Sequence, residues 1–315
     1  MTTSPPLDPA ARKLIDAIEK AFPRVETLTG AEARRQVRAF QESWPVDLEP
    51  VDHVEERRIP GPAGDIPVRI YRPAAQGTLP ALVYVHGGGW VICDLDTYEA
   101  MCRVMANRVG CLIVSVDYRL APEHRFPAAA EDAYAATRWV AEHAAELGAD
   151  PRRVAVAGDS SGGNLAAVCA LMARDRGGPA LVFQLLIYPV TDCSFDTSSY
   201  RDNAEGYYLE AVTMRWYWRQ YLGDGADGSD PYASPLRAPD LSRLPPALII
   251  TAGYDPLRDE GEAYGHRLQE AGVDAKVSRY ETMFHGFFGF GPLLDAALPA
   301  NEEAFAALRA AFGTG

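Results

Sequence analysis

Gly158-Asp159-Ser160-Ser161-Gly162-Gly163-Asn164 lies between a strand-like run, Arg153 to Ala157, and a helix-like run from Leu165 onward. This is G-x-S-x-G at the point where a strand must reverse into a helix. Small residues on either side of Ser160 permit a tight, strained turn that lifts one hydroxyl into a cleft. Ser160 is the residue so presented, because it alone has glycine two positions away on both sides; Ser161 does not. A serine hydroxyl is a weak nucleophile by itself, so the turn implies three partners. They are a base, a residue that orients the base, and N–H donors for a developing oxyanion.

Outward from this turn, strands and helices alternate. Glu56 to Pro60, Ile66 to Tyr71 and Ala81 to Val85 read as strands, the first two joined by the turn-rich Gly61-Pro62-Ala63-Gly64-Asp65 as a hairpin. Cys111 to Val116 is almost continuously apolar, as expected of a strand buried on both faces. Val154 to Ala157, Val182 to Tyr188, Ala247 to Ala252 and Lys276 to Tyr280 complete the strands. Helical spacing marks Ala128 to Leu147, Leu165 to Arg174, Leu257 to Glu270 and Asn301 to Phe312. The pattern predicts an α/β fold with a mostly parallel sheet covered on both faces.

Two stretches break the rhythm. Residues 1–50 carry amphipathic helical patterns (Leu14, Ile15, Ile18, Phe22, then Ala33, Val37, Phe40) ahead of the first strand. Residues 192–235 hold Tyr207, Tyr208, Trp216, Tyr217, Trp218 and Tyr221 and are too long for a simple connection. The catalytic core is accordingly expected in two parts, 51–191 and 236–315, with 192–235 as an insertion.

Only His266 and His285 follow Ser160. His266 falls inside a predicted helix and reads as a surface residue. His285 follows the last strand, where a loop meets the edge of the sheet that carries the nucleophile, so it is the expected base. In this layout the chain order is nucleophile, acid, histidine. Asp255, at the tip of the Ala247-to-Ala252 strand, is the expected acid, and Asp259 is assigned to the first turn of a helix. His86-Gly87-Gly88-Gly89-Trp90 follows the strand ending at Val85, where successive glycines leave N–H groups unshielded for an oxyanion. His86 is expected to anchor this loop rather than to titrate. No GxGxxG or GxxxxGK[ST] pattern supports a nucleotide.

Taken together, His86-Gly-Gly-Gly-Trp90, Gly158-Asp-Ser-Ser-Gly162-Gly163-Asn164, Asp255-Pro-Leu-Arg-Asp-Glu260 and Phe284-His285-Gly286-Phe287 resemble the bacterial hormone-sensitive lipase family of carboxylesterases, with the α/β-hydrolase fold. Asp117-Tyr-Arg-Leu-Ala-Pro-Glu123 and Tyr188-Pro189 add to the likeness. The resemblance implies a helical cap built from the N-terminal helices and the insertion. It also implies an oxyanion hole from the N–H groups of Gly88, Gly89 and Ser161. Serine at 161 departs from the alanine common in that family, although the backbone donor is unaffected. The charges of Asp117 to Glu123 are expected to pair with one another and pin a loop. Trp90, Tyr188, Trp216 and Phe287 are the candidates for an aromatic substrate wall.

The implied chemistry is hydrolysis of short-to-medium acyl esters by a Ser-His-Asp triad through an acyl-enzyme, with no metal or organic cofactor. An amidase or peptidase shares the triad, and a non-catalytic ligand receptor shares the scaffold; retention of Ser160, Asp255 and His285 together disfavours the receptor. A net charge of −13 without a basic patch argues against nucleic acid and anionic membrane surfaces. Charges throughout Met1 to Phe22 disfavour a signal peptide, and no apolar run approaches a membrane span. Cys93, Cys102, Cys111, Cys169 and Cys193 form no CxxC pair and read as reduced thiols. A cytoplasmic protein acting on a small-molecule ester is expected, with a homodimer left open.

Overall fold

In the computed structural model, residues 5–44, 46–225, 227–291 and 293–314 are described. The chain begins with two amphipathic helices, α1 (Pro9–Ala21) and α2 (Gly30–Glu42). Their starts are written in the sequence. Asp8 Oδ1 accepts from the N–H groups of Ala10 and Ala11 ahead of Pro9, and Thr29 with Glu32 forms a reciprocal capping box.

The strands are β1 (His53–Gly61), β2 (Gly64–Arg72), β3 (Leu79–Val85), β4 (Leu112–Val116), β5 (Ala149–Asp159), β6 (Phe183–Ile187), β7 (Ala247–Tyr254) and β8 (Ala275–Phe284). They form one sheet in the order β1-β2-β4-β3-β5-β6-β7-β8. The β1–β2 and β2–β4 pairings are antiparallel and all later pairings are parallel. The predicted hairpin is present, closing at Gly61 opposite Gly64.

Helices α3 (Glu99–Val109), α4 (Ala128–Glu142), α5 (Ser161–Asp175), α6 (Ser198–Asp202), α7 (Ala211–Leu222), α8 (Arg258–Glu270) and α9 (Leu298–Phe312) complete the fold. Alternate residues of β3 face opposite cores. Ala81, Val83 and Val85 pack with the cluster around α4 and α5, whereas Leu82 and Tyr84 pack with the cluster that includes residues of α1, α3 and α9. Helix α5 is buried from Ser161 through Ala173, and its near-total apolarity follows from that central position.

Two expectations need correction. The helix predicted over Ala128 to Leu147 ends at Glu142. Turns then carry the chain to Gly148, yet Ala144 and Leu147 remain buried, so the apolar spacing persists after the helix has stopped. Helix α3 was not foreseen, although Cys102, Met105, Ala106 and Val109 are buried at helical spacing.

Candidate active site

The turn after β5 is as tight as its sequence requires. Ser160 has φ 56° and ψ −121°, a strained conformation for a residue with a side chain. Its N–H donates to the Ile187 carbonyl at 2.8 Å, tying the turn to the end of β6. A Cβ at Gly162 would overlap the Val85 carbonyl oxygen and stand 2.6 Å from that of His86. Only glycine lets α5 start this close to the end of β3.

His285 follows β8 directly and is brought to Ser160 from a distance of 125 residues. Its Nε2 lies 3.0 Å from Ser160 Oγ and its Nδ1 lies 2.7 Å from Asp255 Oδ2. Asp255 is fully buried one residue beyond β7, and its Oδ1 accepts from the Leu257 N–H at 2.8 Å. Asn203, at the end of α6, donates to the carbonyls of both Gly253 and Asp255 at 3.2 Å. With Nδ1–H donating to Asp255, Nε2 is left to accept the serine proton. Both the base and the hydroxyl are largely shielded from solvent, at 6% and 9% exposure.

The glycine loop after β3 has φ values of +108° at Gly88 and +59° at Gly89. Among the described residues, the N–H groups of Gly88, Gly89 and Ser161 have no acceptor. The ends of the loop are occupied instead. Gly87 N–H donates to Asp159 Oδ1 at 3.1 Å, and Trp90 N–H donates to Ser161 Oγ at 3.2 Å. His86 is fully buried and stacks on Tyr118 at 4.3 Å. Its Nδ1 is 2.7 Å from the Gly87 carbonyl, and burial pushes its imidazole down to about 4, so it is neutral.

The four aromatic candidates divide. Tyr188 lies 4.6 Å from His285 between ring centroids, and Phe287 lies 5.9 Å from Tyr188. Trp90 is fully buried, stacked on Tyr221 at 4.1 Å and tilted against Trp218 at 4.8 Å. Trp216 packs on Tyr217. Through these ring contacts Trp90 joins the glycine loop to α7, on which Trp216 is also buried. Tyr208, which sequence reasoning left without a role, has its ring 3.3 Å from where a Cβ on Gly286 would stand. Nothing in the local sequence signals that contact.

His266 is exposed on α8. Asp259 accepts from the Ser199 N–H at 2.8 Å and from Arg258 Nε at 2.8 Å, a structural role. The charges of Asp117 to Glu123 do not pair with each other. Arg119 pairs with Asp132 and Glu123 with Arg34, so the loop is pinned to α4 and α2. Asp117 lies with Arg34, Arg38, Cys93 and Asp94 around a cavity of about 220 Å³ that none of Ser160, Asp255 and His285 lines. Glu260, missed as a functional support, accepts from the N–H groups of Thr191 and Asp192 and so fixes the chain leaving β6.

A mostly parallel sheet with a serine on a strained strand–helix turn, a histidine after the last strand and an aspartate after the preceding one defines an α/β hydrolase. Residues 82–289 match the family model described as the alpha/beta hydrolase fold. The chain belongs to the α/β-hydrolase family of the hormone-sensitive lipase and carboxylesterase type. It is similar to Esterase LipI of Mycobacterium tuberculosis, with 46% identity over 97% of this chain and 95% of that protein. It is likewise similar to Carboxylesterase NlhH of the same species, with 45% identity over 98% and 97% of the two chains. Among solved structures, an ester hydrolase from the metagenome of Lake Arreo, complexed with a derivative of bipyridine phosphonate, shares 44% identity with a TM-score of 0.93. That likeness covers 98% of this chain and 100% of that one.

Proposed function

We propose that the protein is a serine carboxylesterase in which Ser160 is the nucleophile, His285 the general base and acid, and Asp255 the residue that orients the imidazole. The observation that carries this reading is His285 bridging Ser160 Oγ at 3.0 Å and Asp255 Oδ2 at 2.7 Å. Ser160 Oγ attacks the ester carbonyl carbon while its proton passes to His285 Nε2. The carbonyl π pair moves onto oxygen, where the N–H groups of Gly88, Gly89 and Ser161 receive it; loss of one such donor costs roughly 3 kcal/mol of barrier. The tetrahedral intermediate collapses, His285 protonates the departing alcohol, and an acyl-enzyme remains. Water, deprotonated by His285, then releases the acid and restores Ser160. Every proton and charge in this cycle has a partner among these groups, so no cofactor is called for.

Residues 1–50 and 192–235 form, on this reading, a cap over cores 51–191 and 236–315. Three contacts support it. Phe22 of the first stretch packs edge-on against Tyr208 of the second at 5.8 Å, Arg24 bonds Glu210 at 3.1 Å, and Tyr217 lies against Gly89. Tyr188 and Phe287 form the aromatic wall nearest the base. Relatives named as esterases, together with this shielded cleft, support short-to-medium acyl esters as substrates. A p-nitrophenyl ester series from acetate to palmitate, with a p-nitroanilide alongside, tests the assignment. Peak turnover is expected at short-to-medium chains; a maximum on long-chain emulsions or on the anilide overturns it.

Among the described residues no helix is long and apolar enough to cross a membrane, and all five cysteines are free thiols. The free thiols support the cytoplasm as the working compartment. If the chain forms a homodimer, the edge strands β1 and β8 offer its unpaired backbone, and sedimentation gives the state.

A further inference from the structure

The glycine run that precedes Trp90 presents a physical problem. N–H donors act on an oxyanion only if their positions are held, since displacement by about 1 Å costs on the order of 100-fold in rate. Glycines, however, have the largest conformational freedom of any residue. Something must immobilise Gly88 and Gly89 without using their N–H groups.

The side chains on either side of the nucleophile meet this need. Asp159 precedes Ser160 and Ser161 follows it. Asp159 Oδ1 accepts from Gly87 N–H at 3.1 Å, one residue before the free donors. Ser161 Oγ accepts from Trp90 N–H at 3.2 Å, one residue after them. Asp159 is itself held, because Tyr84 donates to its Oδ1 at 3.0 Å and Tyr98 to its Oδ2 at 2.8 Å. Asp159 is 7% exposed and Ser161 fully buried, so water does not compete for either bond. Asp159 has no cationic ion-pair partner among the described residues. A buried carboxylate supplied only by two phenols and one N–H is costly unless its placement matters.

We infer that Asp159 and Ser161 are positioning residues that fasten the two ends of the glycine loop to the two sides of Ser160, making nucleophile and oxyanion donors one rigid unit. The inference rests on the assignment of Ser160 as nucleophile and Gly88 and Gly89 as donors. It gives the Ser161 side chain a role separate from that of its backbone N–H: alanine at 161 would keep the donor and remove the bond that holds the Trp90 N–H, while the Trp90 carbonyl would still accept from Ala121 N–H at 2.9 Å. Asparagine at 159 would remove the charge that Gly87 N–H, Tyr84 and Tyr98 all address.

The test compares Ser161→Ala, Asp159→Asn and Ser160→Ala by steady-state kinetics on p-nitrophenyl butyrate, thermal unfolding, and inhibition by a short alkyl trifluoromethyl ketone. In that adduct Ser160 Oγ bonds the carbonyl carbon, its proton passes to His285 and the carbonyl oxygen becomes the anion, with no leaving group. Ser161→Ala should lower kcat by about fivefold to tenfold, the worth of one neutral hydrogen bond, and Asp159→Asn by roughly 10- to 100-fold, that of a charged one. KM should stay within about twofold, and the ketone inhibition constant should rise by the same factor as kcat falls. A purely structural role would lower the unfolding temperature and leave the ketone constant of the folded fraction unchanged, which overturns the inference. Wild-type kcat in Ser161→Ala overturns it as well, even if Asp159→Asn fails to fold. Turnover surviving in Ser160→Ala would instead refute the functional assignment beneath it.

Discussion

Tyr217 of α7 lies so close to Gly89 that a Cβ there would stand 2.1 to 2.4 Å from three atoms of the tyrosine ring. The insertion between β6 and β7 therefore touches the glycine loop itself. Gly89→Ala must displace either the ring or the loop, and φ of +59° adds strain of its own. The expected outcome is a loss of kcat of at least about 100-fold with a modest fall in melting temperature. Kinetics beside calorimetry would check it.

Asp255→Asn preserves shape and removes the acceptor that fixes the His285 tautomer. The amide can present N–H where the carboxylate accepted, turning the ring and leaving Nε2 protonated toward Ser160. We expect kcat to fall by roughly 10³- to 10⁴-fold with KM little changed. Single-turnover kinetics should locate the defect in acylation.

Asn203 reaches from the insertion to the carbonyls of Gly253 and Asp255. Asn203→Ala leaves two buried carbonyls without that donor, at a cost of about 1–3 kcal/mol in stability. Because the same bonds hold the turn that presents Asp255, kcat should fall several-fold too. Urea unfolding and kcat measured on one preparation would test both effects.

Asp117 provides a pH-dependent prediction outside the catalytic groups. Burial first, then the nearby charges of Asp94 and Asp96, push its carboxyl up to about 6, against partial relief from Arg38 and Arg69. The folded state thus holds this proton more tightly than the unfolded state. Its contribution to stability is full below about pH 4 and is lost as pH rises through about 6. Asp117→Asn should therefore stabilise the protein by about 1–2 kcal/mol at pH 8, after allowance for solvent screening, and by nothing at pH 4. Denaturant melts at the two pH values check the sign.

Much of this site can be read in the sequence because each part has a local signature. Gly158 and Gly162 are demanded by backbone crowding, Asp255 and His285 by their places after strands, and the loop glycines by close approach. What escaped reading depends on contacts between distant segments. Tyr98 donates to Asp159 across 61 residues and Asn203 reaches Gly253 across 50, and neither carries a motif. The ring partner of Trp90 is a further case. A tryptophan beside a glycine loop looks the same in sequence whether it meets substrate or, as Trp90 meets Tyr221, another ring. The partner of the Ser161 hydroxyl is likewise illegible in the sequence, since Trp90 N–H lies 71 residues away.

Ser160 as the nucleophile is the claim on which the rest depends, and covalent capture addresses it most directly. The protein would be treated with a fluorophosphonate, digested, and its modified peptide sequenced by mass spectrometry, with Ser160→Ala in parallel. The account predicts one adduct, on Ser160, with loss of esterase activity in proportion to labelling and neither label nor turnover in the variant. An adduct on Ser161, or ester hydrolysis near the wild-type rate in Ser160→Ala, would contradict it.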